Sequence, residues 1–209
     1  PVFMPQSEAA TAVEFARFEL IQPDKMPVRV KELNLPPGSK TGPFSWAFQN
    51  LPAFKMEPYM PDPAQYFPMV LTAPSAFALE GYEGEMSTWE SYGRFIAQLN
   101  EGKAVVPAAT VEKLRALTAD CPNERCKVER VYAYMQDNTR YFFVGLGIGG
   151  WQPSPAQDVD QFKYGDCKGL SNYTVAMLQA VGVNAYYVLI RAGDDEQHRQ
   201  FPDFPNAWF

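Results

Sequence analysis

The sequence predicts an α+β protein, with an antiparallel β region first and a helical region second. Three observations predict it: the aromatic content, the placement of proline, and a change of hydrophobic period. Fifteen Phe, eleven Tyr and four Trp among 209 residues favour strands and a large interior. Most of the nineteen Pro fall in the first 75 residues, where short strands with proline at edges and many loops are expected. Near residue 86 strand-like alternation gives way to helical spacing.

In the β half, residues 12–21 alternate Val13, Phe15, Phe18 and Leu20 against Glu14, Arg17 and Glu19, with one slip. Further strand-like runs are 27–33, 44–48, 54–59, 66–72 and 76–82, several of them separated by the turn signals PPGSKTG and MPDPAQ. Ser87 stands three residues before Glu90, the spacing of a capping box, and a helix is expected over Trp89–Leu99. A second helix starts at Thr110 with Val111, Leu114 and Leu117. A third starts at Asn123 with Val128, Val131, Tyr132 and Met135 on one face. A strand over 139–144 and the glycine-rich loop GLGIGGWQPSP follow. Asp166 caps a helix from Cys167 to about Ala180, with Leu170, Tyr173 or Thr174, Met177, Leu178 and Val181 as its buried stripe. Gly182 ends this helix in the left-handed conformation. Residues 185–191 read as a strand, GDDEQHRQ as a polar hairpin tip, and FPDFPNAWF as the start of another strand.

Charge and hydropathy exclude two classes. The net charge is −6 with no run of Lys or Arg, so neither a nucleic-acid groove nor an anionic membrane patch is supported. No apolar run is long enough to span a bilayer. Of three cysteines, Cys121 and Cys126 stand five apart in CPNERC, and Cys167 stands alone. The pair reads as a disulfide staple or as two buried thiols, and no His/Cys cluster completes a zinc site. A staple implies an oxidising compartment.

Cys167 is the first candidate for chemistry. It opens a helix directly after Gly165 and Asp166. A helix N-terminus offers partial positive charge and free N–H groups, which favour a thiolate and can hold an oxyanion formed at an attacked carbonyl. Gly165 gives close access to the backbone there. Lys168 either helps hold the thiol ionised or is a surface helix lysine, and Tyr164 is expected to pack on a sheet. Gln152 is a candidate oxyanion donor, Trp151 a cleft wall or core residue, and Asp166 is placed with them at the oxyanion and cleft side of the thiol.

Residues 164–193, YGDCKGLSNYTVAMLQAVGVNAYYVLIRAG, resemble the nucleophile helix and following strand of bacterial transglutaminase-like domains. The upstream YAYMQDNTRYFFV and GIGGWQP resemble the same family. Residues 1 to about 82, best at WAFQNLPAFKMEPYMPDPAQYFPMVLTAP, are similar to the later part of a β-sandwich domain of unknown function that often precedes it. The resemblance implies a β-sandwich-like domain over 1–82, incomplete at its front, a linker helix over 83–100, and the N-terminal part of a transglutaminase-like, papain-like domain over 101–209. It further implies a Cys-His-Asp triad with Cys167 as nucleophile, no cofactor, and a protein or peptide substrate. The amide is cleaved or transferred through a thioester, with hydrolysis favoured over crosslinking. The only histidine, His198, sits in an acidic loop, so the family's His and Asp are expected beyond Phe209 and the chain alone is expected to be inactive. The non-Met start, the Cys pair and the resemblance point to an exported, periplasmic bacterial protein. The alternative is a non-catalytic binding or scaffold module that keeps the fold.

Two other motifs carry less. Gly145, Gly147 and Gly150 fit G-x-G-x-x-G, but Pro153 and Pro155 oppose the helix that a dinucleotide site needs. Asp158, Asp160 and Asp166 lack EF-hand spacing and read as solvated carboxylates plus one helix cap.

Overall fold

The computed structural model describes residues 2–21, 26–60, 65–190, 201 and 203–205. His198 and the acidic loop around it lie outside the described residues, as do Arg191 and residues 206–209. The chain forms two compact units. One comprises Pro1–Ala78, Glu83–Tyr92 and Ile190–Phe209, the other Leu79–Tyr82 and Gly93–Leu189.

The first unit is built on antiparallel sheets, as the alternation predicts. Strands β1 (Val2–Phe3), β3 (Val28–Leu33) and β6 (Met69–Pro74) form one sheet in the order β1-β6-β3. Strands β2 (Val13–Glu19), β4 (Lys40–Gly42) and β5 (Ser45–Leu51) form a second in the order β2-β5-β4. The register Phe18↔Trp46 and Ala16↔Phe48 puts inward residues of β2 and β5 opposite one another. Trp46 and Phe48 pack with Val70 of the other sheet in one core cluster, bordered by Phe3, Phe18 and Val30. Full burial of such side chains stabilises by about 2–3 kcal/mol each. Glu32 of β3 accepts from Trp46 Nε1 at 3.0 Å and from Lys40 Nζ at 2.7 Å, so a polar link also joins the two sheets.

Several strand expectations are corrected. Residues 54–59 are not a strand, because among the described residues no strand pairs with them and Pro58-Tyr59 turns the chain. The stretch 76–82 divides at a turn through Glu80 and Gly81, both at positive φ, into β7 (Ala76–Leu79) and β8 (Tyr82–Glu85). Phe201 and Phe204 are joined by an isolated antiparallel bridge, while Pro202 and residues 206–209 of the expected C-terminal strand lie outside the described residues. Phe204 is buried there with Met69, Leu71 and Ala73, and Arg29 Nη2 donates to Pro205 O at 2.6 Å.

The division between the units falls inside helix α1 (Trp89–Asn100). Its cap lies one residue later than the sequence spacing suggests. Thr88 Oγ1 accepts from Ser91 N at 3.0 Å while Ser91 Oγ accepts from Thr88 N at 3.1 Å, a reciprocal cap made without Ser87 or Glu90.

The second unit is helical. Helices α2 (Ala108–Leu117), α3 (Glu124–Asn138), α4 (Ala156–Phe162) and α5 (Cys167–Ala180) share one core. Leu114, Val131, Val159, Tyr173 and Met177 meet in it, so α5 is the helix the others surround. Asn123 caps α3 through Cys126 N at 3.0 Å, as its sequence position predicts. Half of the expected α3 face is met: Val131 is buried and Met135 packs on the core, but Val128 and Tyr132 are exposed and Tyr134 packs on the core in their place. Only Arg140–Tyr141 of the expected 139–144 strand is paired. This strand, β9, lies parallel to β10 (Tyr164–Gly165). Residues 185–190 show the alternating burial of a strand, yet no ladder partner exists for them among the described residues. Cys121 and Cys126 form a disulfide, with Cα atoms 5.5 Å apart, between the end of α2 and the first turn of α3. Among the described residues no helix is long and apolar enough to cross a membrane.

Candidate active site at the start of helix α5

The local sequence explains why Cys167 stands where it does. Pro155 starts α4 without any side-chain cap, and Lys163 ends it in the left-handed conformation at φ 60°. That reversal feeds β10, whose ladder with β9 is fixed by Arg140 N donating to Lys163 O at 3.0 Å and Phe142 N to Gly165 O at 2.9 Å. Gly165 lies close to its neighbours. A Cβ there would lie 3.3 Å from Leu170 N and 3.3 Å from Val159 Cγ2, a tight fit that the neighbours would have to relieve by a few tenths of an ångström. Glycine is therefore favoured by close approach of the strand to the first turn of α5 and to α4, rather than by a positive φ.

Asp166 is the N-cap of α5. Its carboxylate is 1% exposed, and Oδ1 accepts from Gly169 N at 2.9 Å. Leu170 N closes onto Asp166 O at 2.9 Å. The N–H groups of Cys167 and Lys168 come earlier, where an α-helix has no carbonyl of its own to offer them. Cys167 is a free, exposed cysteine. An exposed sulfur, two unspent N–H groups and the positive end of a 14-residue helix thus converge. Such a place accepts an anion, whether thiolate or oxyanion.

The remaining candidates divide. Asp166 is buried with both its oxygens engaged: the second is ion-paired with Lys168 Nζ. Lys168 is therefore not a surface helix lysine. Its side chain is 12% exposed and its ammonium lies 6.0 Å from the Phe143 ring centroid. Gln152 is half-buried, and its Nε2 donates to Tyr82 OH at 3.2 Å. Trp151 stands edge-on to Phe95 with centroids 6.5 Å apart. Tyr164 contacts the Phe142 and Phe162 rings at 5.7 and 6.2 Å in a partly exposed aromatic group beside β10. The loop Gly147–Gly150 is a 3₁₀ turn, and no α-helix opens from it.

Two residues escaped the sequence reading. Asp160 is not a solvated carboxylate. It accepts from Thr110 Oγ1 at 3.0 Å and from Tyr173 OH at 2.6 Å, fastening α2, α4 and α5 together. Its partners lie 50 and 13 residues away, so nothing local signals them. Tyr187 is the second. Its phenol is pushed up to about 12, first by burial and then by the nearby charges of Cys167 and Asp166. Among the described residues no group of His, Cys, Asp and Glu could hold a metal ion. A cavity of about 370 Å³ lies away from Cys167, lined by Arg115, Thr118, Cys121, Lys127 and Val181. The nucleophile candidate sits on an open face instead.

Residues 112–207 match the family model of the transglutaminase-like superfamily. The matched region begins inside α2 and contains the whole of α5 with Cys167. A solved structure from Parabacteroides distasonis, provisionally described as a protease, has the same fold, with a TM-score of 0.53 and 16% sequence identity. The likeness covers 88% of this chain and 35% of that one, so the chain spans about a third of that protein's length. No curated protein matches the chain.

Proposed function

We propose that the chain carries the nucleophile of a papain-like cysteine enzyme that acts on amides. The transglutaminase-like match and the fold shared with the P. distasonis protein support this family reading. The observation that carries the chemistry is the exposed Cys167 thiol in the first turn of α5, set there by the buried Asp166 cap.

The Cys167 thiolate attacks an amide carbonyl of a peptide or protein, and the developing oxyanion lies toward the N–H groups that open α5. Collapse breaks the C–N bond, the nitrogen takes up through solvent water the proton that the thiol released on ionising, and the amine leaves a thioester on Cys167. Water then releases a carboxylic acid, or a second amine forms a new amide. Hydrolysis is favoured because water is always present. The sulfur itself supplies the electron pair, so the reaction requires no cofactor. Gln152 is retained as a second oxyanion donor, which requires its amide to exchange Tyr82 for substrate. The disulfide is compatible with an exported protein, and a periplasmic site of action belongs to the same reading. A second reading, a binding or scaffold module that keeps the fold, stands beside it. The chain's one histidine, His198, lies outside the described residues.

Acylation separates the two without a full catalytic cycle. With p-nitrophenyl acetate in excess, the protein should release one nitrophenolate per chain in a burst that Cys167→Ser abolishes. Acylation no faster than that of glutathione at the same pH would leave the scaffold reading standing.

A further inference from the structure

Next to Cys167 in the chain stands a carboxylate buried to 1% exposure, and a negative charge at the same helix start opposes a thiolate. Two groups satisfy it. The Gly169 N–H donates to Oδ1 at 2.9 Å, and the Lys168 ammonium pairs with Oδ2. The lysine is itself withdrawn from solvent, and the Phe143 ring 6.0 Å from Nζ adds a cation–π contact that holds it there. Lys168 therefore points to Asp166 rather than standing free beside the sulfur.

The charges decide the consequence. The start of a helix carries about half a positive charge. An uncompensated Asp166 would outweigh it and make the first turn of α5 net negative, repelling both thiolate and oxyanion. With Lys168 in place the pair sums to zero and the helix field is left. Among the described residues Tyr187, from the segment after α5, also faces the site; a phenol is neutral at neutral pH and burial pushes this one further up, so it adds no charge there.

We infer that Lys168 is a positioning residue that acts on Cys167 through Asp166, by cancelling the buried cap carboxylate so that the end of α5 can hold a thiolate. The inference rests on reading Cys167 as the nucleophile, but its test does not need turnover. Asp166 has two separable duties, cap and countercharge. Asparagine caps a helix as well as aspartate does, so Asp166→Asn removes the charge and keeps the cap.

The experiment is a double-mutant cycle read by the iodoacetamide alkylation rate of Cys167 from pH 6 to 9, with circular dichroism and thermal midpoints recorded on every variant. Lys168→Met should slow alkylation at pH 7 on the order of tenfold, Lys168→Arg should restore most of the rate, and Asp166→Asn should raise it by a similar factor. In the Asp166→Asn/Lys168→Met double variant the rate should return to within about threefold of the parent. An equal slowing by Lys168→Met in both backgrounds would show direct action on the sulfur and overturn the inference. So would an unchanged rate in Asp166→Asn, which decides the matter even if Lys168→Met fails to fold. Coupling observed without any acylation burst would leave this inference intact while removing the proposed enzyme.

Discussion

The Tyr173 hydroxyl donates to Asp160 Oδ1 at 2.6 Å, and through this bond the helix that bears Cys167 is fastened to α4. The same carboxylate accepts from Thr110 of α2 and lies 3.4 Å from Lys163 Nζ at the end of α4. Three helices thus share one acceptor. Tyr173→Phe should lower stability by about 1 kcal/mol, and Asp160→Ala by about 2–3 kcal/mol, because the alanine leaves two hydroxyl donors without their acceptor. Urea midpoints measure both, and equal losses would mean that Thr110 contributes nothing. Burial, and next the Asp160 carboxylate, push the Tyr173 phenol up. A raised folded value means that this stabilisation is fully present below the ordinary phenol range and is lost above it, at about pH 10 and beyond.

Glu32 supplies the opposite pH dependence in the β unit. Its carboxyl is held below the usual value, chiefly by the Lys40 hydrogen bond, with a further contribution from Trp46 and against burial, which raises it. A depressed folded value gives stability that is present above the unfolded carboxylate range and disappears as pH falls through the folded value. Glu32→Gln should therefore cost about 0.5–1 kcal/mol at pH 7 and nothing measurable at pH 2. Thermal midpoints across that interval test it. A loss persisting undiminished in acid would assign the effect to packing around Trp46.

The disulfide closes a short loop between α2 and α3. For a loop of this length the lost unfolded-state entropy amounts to about 2 kcal/mol. Cys121→Ser/Cys126→Ser should lower stability by that amount, and dithiothreitol should reproduce the loss in the parent protein but not in the variant. Mass spectrometry of the alkylated, unreduced protein should find a single label, on Cys167. Three labels would mean that the pair is not joined.

The sequence disclosed what is local and withheld what is long-range. Helix α5 was legible from end to end because an Asp cap and a Gly stop lie within it and beside it, and both rules concern neighbours. Helix α4 was missed because a proline starts it without a side-chain cap and a lysine ends it where glycine is usual. Its apolar positions Ala156 and Val159 were present in the sequence at helical spacing, but the prolines around them argued for a loop. In the β half the alternation was readable, while the partners were not. Residues 54–59 look like a strand until pairing is required. At the site, Cys167 and its cap were legible. The engagement of Lys168 with Asp166, and of Asp160 with Thr110, was not, because sequence gives no sign of which charged groups leave water.

Helix α3 starts at the disulfide, with Cys126 in its first turn, and β9 begins two residues after its last. Its 15 residues make a rod about 22 Å long between the disulfide and the ladder that leads into Cys167. One residue added inside it would swing the far end by about 100° and detach β9 from β10. The reach of the rod, counted in whole residues, thus sets where Cys167 stands, and length in this helix is less negotiable than composition.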